Sequence, residues 1–193
     1  MQPFEYLLLL AAVILGLAIA DLAISLNRLL RAGRKVKWDW LAPLAALVAM
    51  LKIVTQWWGW YQIQDRAKGA TFEMFVWVLI VTLLLFLLAS ASLPDETPAE
   101  GIDLKAYFDK VARYYFTLFV LHGVGSLLVG FWAELLMDGH IGADLMASLP
   151  RQGAIIAACV SAIVIRNRLW RGACLLSLAG FYLWQGAGTT LSG

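Results

Sequence analysis

Three ionisable side chains inside apolar stretches are the residues best placed to do chemistry: Asp21, Lys52 and His122. A charge at the centre of a membrane costs at least about 2.5 to 3.5 kcal/mol, so each one needs a partner, a water-filled cavity or a function. Acidic residues and histidines at such depth carry protons and ions in pumps and transporters. We therefore predict a pathway for protons or monovalent cations, in which Lys52 is the charge partner of Asp21.

Each of these three residues is followed four positions later by a polar residue, which lies on the same face of a helix. A rise of about 1.5 Å per residue, counted from the nearest basic loop or aromatic boundary, gives the three ionisable groups overlapping depths. The spacing predicts an ion pair between Asp21 and Lys52, with His122 close enough to exchange a proton through water. The alternative is a salt bridge that only fixes helix packing. The three following residues are Ser25, Gln56 and Ser126.

Acidic residues gather near the opposite ends of the helices, where Glu73 and Glu134 are expected at an outer mouth. A negative mouth concentrates cations through its field, although loop acids are often simply solvated. Asp138, His140 and Asp144 have residue types suited to a metal, but their spacing of two and four, without cysteine or a second histidine, is a weak signal. We predict no metal site there.

The composition explains why these residues are exceptional: 62% of the chain is apolar, 15% is charged and the mean hydropathy is +0.77. Soluble proteins contain about 25% charged residues. A helix needs roughly 20 apolar residues to cross a bilayer, and six segments qualify. We expect an all-α, single-domain bundle over residues 1–193, with an amphipathic inner-surface helix over about 103–113. The spans are expected at 4–26, 40–61, 72–93, 114–136, 150–165 and 170–191.

The basic residues orient this bundle, because loops rich in Lys and Arg stay in the cytoplasm. Eleven of the fifteen Lys and Arg fall in the first, third and fifth connections. This alternation predicts that those loops are cytoplasmic and that both termini lie outside. The eleven are Arg28, Arg31, Arg34, Lys35, Lys37, Lys105, Lys110, Arg113, Arg166, Arg168 and Arg171.

Enzyme motifs are weak in this chain. The run from His122 to Leu127 is similar to the Gly-x-Ser-Gly motif of rhomboid proteases, but Leu127 follows Ser126 and the last span has no histidine for a dyad. Haem ligation would need two histidines at matching depth, and the two cysteines lie in different spans. We predict no enzyme activity and no cofactor. The basic residues form no stripe with interleaved aromatics, so no nucleic-acid partner is expected.

The block from Asp21 to Arg31, followed by Trp38-Asp39-Trp40-Leu41 and by Leu93-Pro94-Asp95, resembles uncharacterised small multi-span inner-membrane proteins of bacteria. The resemblance covers about the first half of the chain. It implies a multi-pass protein of the bacterial inner membrane, and it implies no activity, since that group has none assigned.

Two functions remain open from the sequence. The first is a small channel or transporter for protons or monovalent cations. The second is a non-transporting scaffold, sensor or accessory subunit, whose buried polar residues fix helix packing and whose basic face meets anionic lipids or a partner. A homo-oligomer or a larger membrane complex fits both.

Overall fold

The described residues form six α-helices. The computed structural model describes residues 3–63, 71–96, 98 and 100–187, and the side chains of these except at 3–5, 62, 63, 137 and 138. Beyond the helices, the described residues include a short 3-10 turn, Gly33–Lys35, and two-residue strands β1 (Val36–Lys37) and β2 (Ile102–Asp103). The helices are α1 (Pro3–Ala32), α2 (Leu41–Ile63), α3 (Phe72–Ser90), α4 (Leu104–Asp138), α5 (Ala143–Val164) and α6 (Arg168–Ala187).

Local capping interactions set several of these boundaries. Thr71 Oγ1 accepts a hydrogen bond from Met74 N at 3.3 Å before α3, and Asp103 Oδ1 accepts from Ala106 N at 3.1 Å before α4. Such side chains satisfy backbone N–H groups that have no partner within the helix. At its other end α4 stops at Gly139, whose φ of 69° lies in the left-handed region that glycine adopts without strain.

The fourth helix occupies the middle of the bundle. It packs between α3 and α5 and also touches α2, while α3 packs on α1 and α6 packs on α2. Two glycines allow this close approach. A Cβ atom at Gly125 would lie 3.1 Å from Val81 on α3, and one at Gly123 would lie 3.2 Å from Ile156 on α5. The buried face of α4 therefore lies against α3 and α5.

Five of the described helices, α1 to α5, are long and apolar enough to cross a membrane. The described part of α6 falls outside this set. It begins with two arginines, Arg168 and Arg171, and the last residues of the predicted span at 170–191 lie outside the described residues. The all-α fold and its compatibility with a membrane agree with the sequence, while the count of six spans and the outside position of both termini stay predictions.

The three basic connections meet at one end of the bundle, which we call the basic end. The strands β1 and β2 pair in parallel, with Val36 opposite Ile102, and so join the first connection to the third. In addition, Arg28 donates to Asp95 O at 2.5 Å. The charge alternation predicts this shared end. The membrane side that it faces stays a prediction.

The helix boundaries differ most from the expected spans in α4 and α5. The segment expected as a separate inner-surface helix at 103–113 is the first part of α4, which continues unbroken to Asp138. Its apolar residues Leu104 and Phe108 are fully buried, so they pack within the protein instead of facing lipid. The fifth helix starts at Ala143, before the expected residue 150, and contains Pro150.

Candidate functional site

Lys52 lies on α2 and points between helices. Its Nζ atom donates a hydrogen bond to Gln56 Oε1, 3.3 Å away, and lies 5.6 Å from the ring centre of Tyr182 on α6. The face of an aromatic ring attracts a cation, so Tyr182 replaces part of the lost hydration. The partner of Lys52 is thus an amide one turn away together with a phenol ring.

Asp21 is not the partner of Lys52. No salt bridge joins these two residues, both of which lie in the described part of the chain, and the acids that do form one there are Asp39 and Asp109, with Arg168. Asp21 is partly buried on α1, and its charge acts on Tyr107 near the start of α4. The expected ion pair is therefore not formed in this structure.

The reason is helix rotation. A count of residues along a helix gives the depth of a side chain but not the direction in which it points. The side chains that α1 buries around this level are Leu22, Ser25 and Leu29, and Asp21 sits at the edge of that face. Ser25 is 3% exposed and lies in the interior, one turn nearer the basic end than Asp21, which is only partly buried.

His122 lies on α4 with 0% of its surface exposed. Neither Nδ1 nor Nε2 has a hydrogen-bond partner in the described protein, and the Ser126 Oγ one turn later also has none. The charge of Lys52 acts on this imidazole, so the two side chains are neighbours. The structure thus brings together two of the three predicted ionisable residues. We call Lys52, Gln56, His122 and Ser126 the central polar cluster.

A small cavity adjoins the cluster. It has a volume of about 170 Å³ and is lined by residues of α1, α2, α3 and α4, with Ser126 among them and apolar side chains for most of its wall. This volume has room for several water molecules, although a stable internal water needs two or more polar partners. Ser126 is the side chain of the cluster that reaches this space.

The two glutamates of the expected outer mouth differ from each other. Glu134 Oε2 accepts a hydrogen bond of 2.6 Å from Gly142 N, the residue that precedes α5, so this carboxylate holds the turn between α4 and α5. Glu73 lies exposed in the first turn of α3. Three further acidic residues of the expected mouth cannot be placed, because the side chains of Glu5 and Asp138 and the whole of Asp65 lie outside the described residues.

The sequence analysis missed Tyr182 and Tyr115. Tyr115 on α4 is fully buried and donates its hydroxyl to Ala45 O of α2 at 2.9 Å. Tyr182 is 4% exposed and lies 6.5 Å, between ring centres, from Phe119 of α4. These aromatic contacts hold α2, α4 and α6 together beside Lys52. A tyrosine within an apolar segment was the available signal, but an interfacial position explains such a residue equally well.

Comparisons with protein-family models, with curated proteins and with solved structures found no match. The class follows from the fold alone: an all-α protein with five helices compatible with an integral membrane protein.

Proposed function

We propose that this chain is a multi-pass protein of the bacterial inner membrane that passes protons through the central polar cluster, with His122 as the proton-binding group. In this proposal α6 is the sixth span and the basic end faces the cytoplasm. The observation that carries it is the fully buried His122 imidazole, whose two nitrogens have no partner in the described protein. Buried polar groups of native proteins are nearly always hydrogen-bonded, so an exception calls for an explanation.

The surroundings of His122 favour a proton over a metal cation. The nearest identified charge is that of Lys52, and no carboxylate of the described residues forms an ion pair with either group. Hard cations are held by several oxygen ligands, whereas the cluster offers only the Gln56 amide and the Ser126 hydroxyl. An imidazole can instead take and release a proton, and Gln56, Ser126 and water can relay it.

Proton flux into proteoliposomes tests the proposal. The purified chain is reconstituted, a potassium gradient with valinomycin sets the potential, and a pH-sensitive dye inside the vesicles reports proton entry. We expect flux above that of protein-free vesicles, and a loss of at least tenfold in His122→Gln. His140→Gln is the matched control, because it removes the other histidine of the chain, which lies outside the helices.

Two outcomes would contradict the proposal: no flux from the wild-type protein, or equal flux from His122→Gln and wild type. Size-exclusion chromatography and circular dichroism establish that each variant is folded. A folded wild-type protein without flux would favour the competing function, a scaffold, sensor or accessory subunit in which the cluster fixes helix packing.

A further inference from the structure

Arginines from two helices and one connection enclose a pocket at the basic end. The pocket has a volume of about 470 Å³ and combines α4, α6 and the connection between α5 and α6. Four of its five lining residues are arginines, whose guanidinium groups remain charged. It is separate from the central polar cluster and shares no residue with it. Its lining residues are Asp109, Arg113, Arg166, Arg168 and Arg171, and we call it the arginine pocket.

Two carboxylates neutralise only one part of this charge. Arg168 forms a salt bridge with Asp39, and its Nη1 atom lies 3.3 Å from Asp109 Oδ1. The side chains of Arg113 and Arg166 make no hydrogen bond to the described protein. Four arginines thus face two carboxylates, and Arg168 contacts both of these. The arginine pocket therefore keeps a net surplus of two positive charges.

Arg171 supplies the strongest sign of a ligand. This residue is 5% exposed, and the one hydrogen bond of its side chain within the described protein runs from Nε to Ala162 O at 3.2 Å. The two terminal amino groups therefore have no protein acceptor. The charge of Asp109 acts favourably on the same guanidinium, while the charges of Arg166 and Arg113 oppose it and add repulsion. An anion in the pocket would relieve this repulsion and accept the free N–H groups.

The arginines and the apolar residues near them indicate which type of anion the pocket would bind. Phosphate oxygens match the planar fork of a guanidinium, and arginines are the usual residues for bidentate phosphate recognition. Next to these arginines in the sequence, Val164 is 73% exposed and Leu169 is 77% exposed, and Trp170 is exposed as well. Apolar side chains next to a basic pocket at a helix end fit a molecule that carries acyl chains together with a phosphate.

We propose that the arginine pocket binds the phosphate group of an anionic phospholipid, held by Arg113, Arg166 and Arg171, with its acyl chains along Val164 and Leu169. Arg168 stays paired with Asp39 and holds α6 in place against the first connection. The two exposed arginines, Arg113 and Arg166, can be replaced without removing a side-chain hydrogen bond or an ion pair of the described protein.

Native mass spectrometry of the full chain in detergent tests this proposal. The probes are phosphatidylglycerol, phosphatidylcholine and inorganic phosphate, each titrated separately. We expect tighter binding of phosphatidylglycerol than of the other two probes. In Arg113→Gln/Arg166→Gln its affinity should fall about tenfold or more, since each basic residue near the membrane surface contributes roughly a fivefold effect. Arg34→Gln is the matched control, an exposed arginine of the same end that lies outside the pocket.

Three results would overturn the assignment. Equal binding of phosphatidylcholine removes the charge selectivity. Binding of inorganic phosphate as tight as that of the lipid shows a site for the free ion. An equal loss of affinity in Arg34→Gln shows a diffuse basic surface instead of a pocket. If the double variant is not monodisperse, the single variants Arg113→Gln and Arg166→Gln are compared with Arg34→Gln in the same way.

Discussion

Arg168, at the start of α6, forms a salt bridge with Asp39, which precedes α2. The side chains are 25% and 11% exposed, so water screens this ion pair only in part. Asp39 also accepts a hydrogen bond from Leu41 N at 3.2 Å. The same carboxylate thus fixes the first turn of α2 and ties the fifth connection to the first.

The first prediction concerns this ion pair. A double-mutant cycle with Asp39→Asn and Arg168→Gln should give a coupling of about 1 kcal/mol in the free energy of unfolding. The matched cycle with Asp109→Asn should give at most a few tenths of a kcal/mol, because Asp109 is 44% exposed and its charge is screened. Denaturant unfolding in detergent measures both. Equal coupling energies in the two cycles would contradict the conclusion that the lower exposure of Asp39 strengthens its ion pair with Arg168.

The second prediction concerns two glycines with opposite surroundings. A Cβ atom at Gly172 of α6 would overlap the ring of Trp40, whereas one at Gly153 of α5 would meet no atom within 4 Å. Gly172→Ala should lower the free energy of unfolding by about 1 to 3 kcal/mol, since overpacking forces the ring to move. Gly153→Ala should raise it by up to about 1 kcal/mol, because alanine favours helices. Thermal unfolding by circular dichroism compares the two, and a loss in both would show that helix propensity is not the deciding factor at 153.

The third prediction separates the two glutamates of the expected mouth. Glu134→Ala removes the hydrogen bond to Gly142 N and should cost about 1 to 2 kcal/mol of stability. Glu73→Ala removes only a favourable charge from an exposed helix start, which is worth about 0.3 to 1 kcal/mol. Proton flux per folded molecule should stay unchanged in both variants. A loss of flux in Glu73→Ala would instead support an acidic entrance.

The fourth prediction concerns the free-energy cost of burying the ammonium group of Lys52. An ammonium group without an acid partner in the described protein is expensive at this depth, so Lys52→Met should raise stability by about 1 kcal/mol. Val54→Met, on an exposed face of the same helix, controls for the added methionine and should change little. A loss of stability in Lys52→Met would show that the contacts with Gln56 and Tyr182 outweigh the burial of charge.

The fifth prediction concerns pH at the start of α4. The hydrogen bond from Ala106 N lowers the pKa of Asp103 below its ordinary value of 3.8, with help from Lys105 N and from the charges of Lys37 and Lys105, and against a smaller effect of burial. A lowered pKa in the folded state adds stability above about pH 4, and this gain is lost as the pH falls through the folded value. The melting temperature of wild type should therefore approach that of Asp103→Asn between pH 6 and pH 3. A constant difference over this range would contradict the role of the charge.

Much of the architecture was predictable, because each helix is formed by a continuous stretch of the chain. The apolar runs predicted six helices, and the charge alternation predicted that the first, third and fifth connections share an end. The continuity of α4 was harder to predict. Leu104 and Phe108 have the spacing of an amphipathic surface helix, and the sequence does not show that protein, and not lipid, covers that face.

The candidate site was predictable only in its residue types. Lys52, His122 and Gln56 stand out by composition, but the absence of a pair with Asp21 depends on the rotation of α1 about its axis. The arginine pocket depends on residues up to 62 positions apart, from Asp109 to Arg171, and the sequence showed these only as basic loops. A pattern in the sequence does not show which distant segments are in contact.

The pairing of Val36 with Ile102 has a consequence for how the protein is inserted during synthesis. The two strands belong to connections separated by two complete helices, so in the proposed membrane topology the pair closes only after α2 and α3 have both crossed. If only one of these two helices crossed, a hydrocarbon layer about 30 Å thick would separate Val36 from Ile102. The two-residue ladder therefore distinguishes a chain with both helices inserted from a chain in which one of them has failed to cross.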